Sequence, residues 1–184
     1  MNKLGNYIKG HWTLGDGEGQ PLFNACTGEI ISHASSKGID FAAAVRYARE
    51  KGNPKLRSMT FHERGRMLRA LALYLTEKIE KFYAISALTG ATKADSWIDI
   101  EGGFGNLFAY ASLRRKFPNE TFCTDGEAHN LSKLNTFMAQ HLLVPKEGVA
   151  IHINAFNFPV WGMLEKCAVN WLAGMPAIVK PATI

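Results

Sequence analysis

The sequence predicts an α/β protein, and three observations carry that prediction. The last third holds a Val/Ile-rich run, "EGVAIHINA", then a helix-period stretch, "VWGMLEKCAVNWLAG", then a second apolar run, "MPAIVKP", all between Glu147 and Pro181. The middle of the chain repeats apolar residues at helical spacing. The first thirty-odd residues carry only short apolar pieces broken by Gly and Pro. Strand, helix and strand so close together make a βαβ unit, whose strands are parallel and whose crossover is right-handed.

In chain order, residues 11–34 are punctuated by "GDGEGQP" and "CTGE" and read as short strands or a hairpin. "IDFAAAVRYAREK", Ile39 to Lys51, is Ala-rich with apolar positions at 41, 44, 45 and 48, which predicts a helix that Gly52 and Pro54 end. From Thr60 to Gly90 a longer helical pattern follows. Thr60 and Glu63 have capping-box spacing, in which each side chain satisfies a free N–H at the helix start. Met67, Leu68, Leu71, Leu75, Ile79 and Phe82 form its apolar stripe, with a bend expected near Thr76. Another helix is expected from Lys93 to Leu113, interrupted or strained at "EGGFG". Pro118 to His129 is polar and reads as turns, and "FMAQHLLVP" reads as a strand. In the final unit Pro159 suits a first helical turn, Trp161, Leu164, Ala168 and Trp171 share a face, and Gly174 is the stop.

Bulk properties narrow the function classes. The chain has 184 residues, 47% hydrophobic and 20% charged, which is globular and not disordered, and suits one domain or one domain plus part of another. The net charge is +5, yet the densest basic group is only Arg114, Arg115 and Lys116 in "SLRRKF". One triplet indicates a solvated surface more than a nucleic-acid site. No run of 18 apolar residues exists, so no membrane span is expected, and the start "MNKLGNYIKGHW" lacks a signal-peptide core. Cys26, Cys123 and Cys167 are odd in number, far apart and without C-x-x-C spacing. That argues against a metal site or a disulfide framework and predicts a cytoplasmic protein.

The chemistry concentrates in "HINAFNFPVWGMLEK", His152 to Lys166. A carboxamide, Asn157, stands between Phe156 and Phe158. An unpaired buried amide costs about 1–3 kcal/mol, so a partner for Asn157 is expected, in the protein or in a ligand. Loops at the carboxyl ends of parallel strands are where open α/β sheets bind ligands. Asn154 to Phe158 follows the first strand, and Lys180 ends the second.

"NAFNFPVWGMLEK" followed by "AGMPAIVKPAT" resembles the aldehyde dehydrogenase superfamily, which carries Asn-Phe-Pro after its first cofactor-domain strand and Lys-Pro at the end of the second. "EKGNPKLRSMTFHER", "TGATKADSWIDIEGG" and "GVAIHINAFNFP" are similar to one branch, the aldehyde dehydrogenase half of bifunctional ring-opening proteins of phenylacetate catabolism. The resemblance covers essentially the whole chain. It implies an aldehyde-dehydrogenase-like fold: N-terminal strands and helices of a Rossmann-like cofactor domain over 1–116, an oligomerisation hairpin over 117–146, and the first βαβ unit of that domain over 147–184. It also implies a homo-oligomer that oxidises a small aldehyde, a semialdehyde of aromatic catabolism with coenzyme A thioesters among the candidates.

In the family a cysteine thiolate attacks the aldehyde and hydride passes to a nicotinamide cofactor. The resemblance gives Asn157 the catalytic role: its N–H stabilises the oxyanion, a contribution of about 2.7–4 kcal/mol for comparable donors. A purely structural Asn is the alternative. Ile153, Asn154, Ala155 and Phe156 are implied to line the cofactor cleft, and Lys180 to hold the adenine ribose. Phe158 is implied to line the substrate tunnel, with core packing as the alternative. Thr183 stands where many NAD-using members carry glutamate. A carboxylate there repels a 2′-phosphate and a threonine does not, so NADP is the expected cofactor, with NAD open. No metal is implied.

Family members are more than twice this long, and their glycine-rich segment, base glutamate and nucleophilic cysteine fall later than residue 184. The expectation is therefore a truncated N-terminal portion, inactive alone. Its alternative is a non-catalytic cofactor-binding or assembly module. Cys167, mid-helix among apolar neighbours, reads as an inert core thiol, with a Cys167–His152 nucleophile–base pair as the lesser reading.

Overall fold

A computed structural model describes residues 2–182. Five short strands open the chain: β1 (Lys3–Leu4), β2 (Asn6–Ile8), β3 (His11–Thr13), β4 (Gln20–Phe23) and β5 (Ile30–Ala34). β5 lies between β1, which it parallels, and β4, with which it is antiparallel, while β2 and β3 form a hairpin of their own.

The helical layer follows. α1 (Phe41–Tyr47) starts where the Asp40 side chain accepts from the Ala43 amide. It does not stop at Gly52. The chain continues through a widened π turn, 48–52, in which the Asn53 N–H reaches back to Ala48 O, into α2 (Asn53–Ser58). The expected stop fails because Pro54 falls in the first turn of α2, where a missing N–H breaks no bond. α3 (Phe61–Thr76) begins with the full capping box: Thr60 Oγ1 accepts from the Glu63 amide, and Glu63 accepts from the Thr60 amide at 2.8 Å. The chain bends after Thr76 into α4 (Ile79–Leu88), and Gly90 takes φ +79 just beyond it.

α5 (Lys93–Leu113) runs unbroken through "EGGFG", against the expected interruption. Its glycines are packing positions. A Cβ on Gly102 would overlap the Trp161 ring, and one on Gly103 would stand 3.0 Å from the Trp161 nitrogen. After a turn at 114–116, β6 (Cys123–Asn130) and β7 (Met138–Leu143) form an antiparallel hairpin with a register shift between Asp125 and His129. The sequence pattern predicts turns over much of β6, and the structure corrects it. Asp, Gly, Glu and Asn are poor strand formers, but cross-strand pairing overrides that preference.

β8 (Ala150–Ile153), α6 (Pro159–Leu172) and β9 (Ala177–Lys180) make the βαβ unit, with β8 and β9 parallel from Ala150↔Ala177 to Ile153↔Lys180. The core lies among three helices: Leu68 and Ala72 of α3, Ile100, Phe104, Leu107 and Ala111 of α5, and Leu164, Ala168 and Leu172 of α6. On α6 the buried face is thus Leu164, Cys167, Ala168 and Leu172, and Trp161 turns to the α5 glycines. Arg64 sits fully buried between helix ends, its Nε donating to Leu172 O at 2.7 Å and its Nη1 to Leu56 O at 3.1 Å and to Met59 O. Carbonyls at helix carboxyl ends carry partial negative charge and serve a buried cation in place of a carboxylate.

Candidate active site

The site grows from the paired ends of β8 and β9. Ile153 faces Lys180 in register, and the Asn154 amide donates to Lys180 O at 3.0 Å. The loop Asn154–Phe158 therefore starts beside Lys180. Asn157 lines a groove of about 370 Å³ together with Ala155, Phe158, Trp161, Glu165 and Lys166.

Asn157 is exposed, and its carboxamide has no hydrogen-bond partner among the described residues. The expectation of a buried Asn157 amide thus fails. The buried amide oxygen is that of Asn154, whose Oδ1 is shielded from solvent and unpartnered among the described residues.

α6 begins under constraint. Phe158 adopts the left-handed region at φ 51, ψ 56, immediately before Pro159, and gives the helix no side-chain cap. A non-glycine residue there is strained and is held by its surroundings. The cap comes from another helix. Asp99 of α5 accepts from the Trp161 amide at 2.7 Å through Oδ1 and from the Val160 amide at 3.3 Å through Oδ2. Burial raises the Asp99 carboxyl above the ordinary range, and these two amide bonds oppose the rise. One turn along the same face of α5, Gly102 and Gly103 receive the Trp161 ring and backbone.

The groove wall is tied together. Trp161 Nε1 donates to Glu165 Oε2 at 3.0 Å, and Lys166 Nζ donates to Glu165 Oε1 at 3.2 Å and to Gly162 O at 2.7 Å. Trp161 and Glu165 are neighbours at i, i+4 on α6, so this wall is fixed by helix geometry.

Of the residues singled out from sequence, Ala155, Asn157 and Phe158 meet in the groove, while Ile153, Asn154 and Lys180 meet at the strand ends. Ile153 is 78% exposed and Phe156 64%. Thr183 lies outside the described residues. Sequence reading misses Asp99, Trp161, Glu165 and Lys166 as site residues. The one available signal is the pair of glycines inside a helical pattern, which marks a close approach by another element.

Cys167 and His152 do meet. Cys167 Sγ lies 3.7 Å from His152 Nδ1, and the Asn170 side-chain amide lies 2.7 Å from His152 Nε2. Burial pushes the thiol up to about 11 and the imidazole down, with the Lys166 charge a smaller contribution to the latter. Cys167 is fully buried, so at neutral pH this is an uncharged internal trio and not an active nucleophile. Among the described residues no cluster of three or more His, Cys, Asp or Glu side chains could hold a metal ion, and no helix is long and apolar enough to cross a membrane.

Comparison with known proteins gives consistent matches. The family model described as "Aldehyde dehydrogenase family" matches residues 12–184. A 3,4-dehydroadipyl-CoA semialdehyde dehydrogenase of Aromatoleum evansii is 41% identical over 182 residues, covering 98% of this chain and 35% of the relative. A non-phosphorylating aspartate-semialdehyde dehydrogenase of Halomonas elongata is 30% identical over 178 residues, covering 96% and 34% respectively. The chain thus spans about a third of the length of the curated relatives it matches. Among solved structures, a 3,6-anhydro-L-galactose dehydrogenase in complex with NAP superposes with a TM-score of 0.82 at 18% identity, over 99% of this chain and 37% of that one.

Proposed function

Because the chain belongs to the aldehyde dehydrogenase family, we propose that it supplies the oxyanion donor and part of the cofactor cleft of an NAD(P)-dependent enzyme oxidising a semialdehyde to its acid. The observation that carries this reading is Asn157, an exposed carboxamide without a partner among the described residues, in the loop after a parallel strand and on the wall of a groove. When a nucleophile adds to an aldehyde, the carbonyl oxygen gains negative charge. A donor already aimed at that oxygen lowers the barrier without reorganising solvent. Phe158 and Trp161 give the groove apolar walls for the substrate's carbon chain. No cysteine among the described residues lines the groove, so the attacking thiolate is a group other than Cys26, Cys123 or Cys167. The name of the Aromatoleum evansii relative supports a coenzyme A-linked semialdehyde of aromatic catabolism as the substrate class.

A nicotinamide cofactor would supply the hydride acceptor. The residues at the strand ends suit such a ligand: an unpartnered buried acceptor on Asn154, exposed apolar surface on Ile153 and Phe156, and the exposed ammonium of Lys180. They match hydroxyl donors, a flat ring and anionic oxygens. Thr183 stands at the sequence position where many NAD-using members carry glutamate and has no charge to repel a 2′-phosphate, which favours NADP, and Thr183→Glu is expected to shift preference toward NAD. The β6–β7 hairpin, with Met138, Leu142 and Leu143 exposed, is the surface through which a homo-oligomer would form.

The test is Asn157→Ala in the complete protein. The expected result is a fall in kcat of roughly 10²–10³ with cofactor affinity nearly unchanged. A kcat within about threefold of the parent makes Asn157 a structural residue and removes the reading.

A further inference from the structure

We infer that Asp99 is a positioning residue for Asn157: its carboxylate fixes the first turn of α6, and through that turn the loop that carries the Asn157 amide. The inference rests on the reading of Asn157 as the oxyanion donor.

Three observations converge on it. First, α6 has no cap of its own. Its N-cap position is Phe158, in a left-handed conformation, where a Ser, Thr, Asp or Asn would normally satisfy the free amides. Second, both Asp99 oxygens are used on this one task, at 2.7 Å to Trp161 and 3.3 Å to Val160. Asp99 is buried, and no cation pairs with it among the described residues. A carboxylate in that setting is costly, and the positive end of the α6 dipole is what offsets the cost. Third, the same face of α5 carries Gly102 and Gly103, which let the Trp161 ring and backbone close onto it. Asp99 holds the turn by hydrogen bonds and the two glycines hold it by contact, so the start of α6 cannot slide along α5.

Asn157 stands one residue before Phe158 and three before Val160, whose amide Asp99 holds. Without the carboxylate, two amides lose their partner and the strained Phe158 can relax, carrying Asn157 away from the groove. Asp99 itself does not line the groove, so it acts through Asn157 and not on the substrate.

Asp99→Asn, Asp99→Ala, Asn157→Ala and the Asp99→Ala/Asn157→Ala double variant of the complete protein are compared for kcat and for the KM of aldehyde and cofactor. Misplacing a reacting group by about 1 Å costs on the order of 10²-fold. Asp99→Ala is expected to lose about that much in kcat and Asp99→Asn, which keeps one acceptor, about 10-fold, each with cofactor KM within about threefold. Added to Asn157→Ala, Asp99→Ala should lower kcat no further, because the group it positions is gone. A residue that merely stabilises the fold would act equally in both backgrounds. If Asp99→Ala does not fold, Asp99→Asn carries the same comparison. Folded Asp99 variants with kcat within about threefold of the parent, or losses that multiply fully onto those of Asn157→Ala, overturn the inference. An Asn157→Ala enzyme with unchanged kcat sinks the oxyanion reading first, and the inference with it.

Discussion

The three-helix core and the β8–β9 strand pair are built on opposite terms. Leu68, Ile100 and Leu107 are wholly excluded from solvent, whereas Ile151 and Ile153 on β8 are 56% and 78% exposed. The core is held by apolar burial from several sides, and the loop after β8 is held at two points: the Lys180 pairing on one flank and the Asp99 cap on the other. The contrast separates strength from chemistry. Core side chains carry stability through burial, while at the groove the packed Trp161 holds the wall and the exposed Asn157 is left free to act.

The sharpest test of that contrast is a matched pair of truncations. Leu107→Ala leaves a cavity in close-packed surroundings and should destabilise the chain by about 2–5 kcal/mol in urea unfolding. Ile153→Ala, on the open strand, should change it by less than about 0.5 kcal/mol. Equal effects would mean that the two regions unfold as equals and the contrast is false.

The junction between the regions comes next. Gly102→Ala should lower stability by about 1–3 kcal/mol, because the new methyl must displace the Trp161 ring. Helix propensity favours Ala over Gly by about 1 kcal/mol, so an unobstructed site would be stabilised instead. Calorimetry decides the sign, and Trp161 fluorescence shows whether the ring moves.

On β8 itself, the buried His152 should add a pH dependence of smaller size. Its folded pKa is lowered by burial, so the unfolded chain takes up a proton first as pH falls through about 6.5. The stability present at neutral pH is then lost progressively, down to the lowered folded value. The drop in urea midpoint between about pH 7.5 and 5.5 should shrink in His152→Gln, and an identical drop would show that His152 titrates normally. The smallest expected signal is on Cys167, which should resist iodoacetamide in the folded chain while exposed Cys26 reacts. Prompt Cys167 labelling would place solvent where the structure has core.

Part of the fold and of the site is legible in the sequence alone. The capping box at Thr60 and Glu63, the bend near Thr76 and the strand–helix–strand order after Glu147 all depend on residues close in sequence, and each forms where the pattern puts it. Asn157 and Phe158 stand out because a motif of three adjacent residues carries them. Two misread elements are those in which a distant partner outweighs local preference: "EGGFG" stays helical against Trp161, and polar β6 becomes a strand because β7 pairs with it. Pro54 is misread for a local reason, because it falls in a helix's first turn, where proline is tolerated.

What the sequence determined by itself is therefore the local vocabulary: helix starts, the parallel unit, and the loop on which the carboxamide sits. Only the tertiary structure decided that Asn157 is open and Asn154 Oδ1 is buried, that Trp161 leaves the core face of α6 for two glycines on α5, and that Asp99 caps a helix some sixty residues away. The physical reason is range. Propensity and capping act within a turn or two of the chain, whereas burial and hydrogen-bond partners are set by whichever element arrives in space, and in a single sequence Asp99 looks like any other acidic residue on a helix.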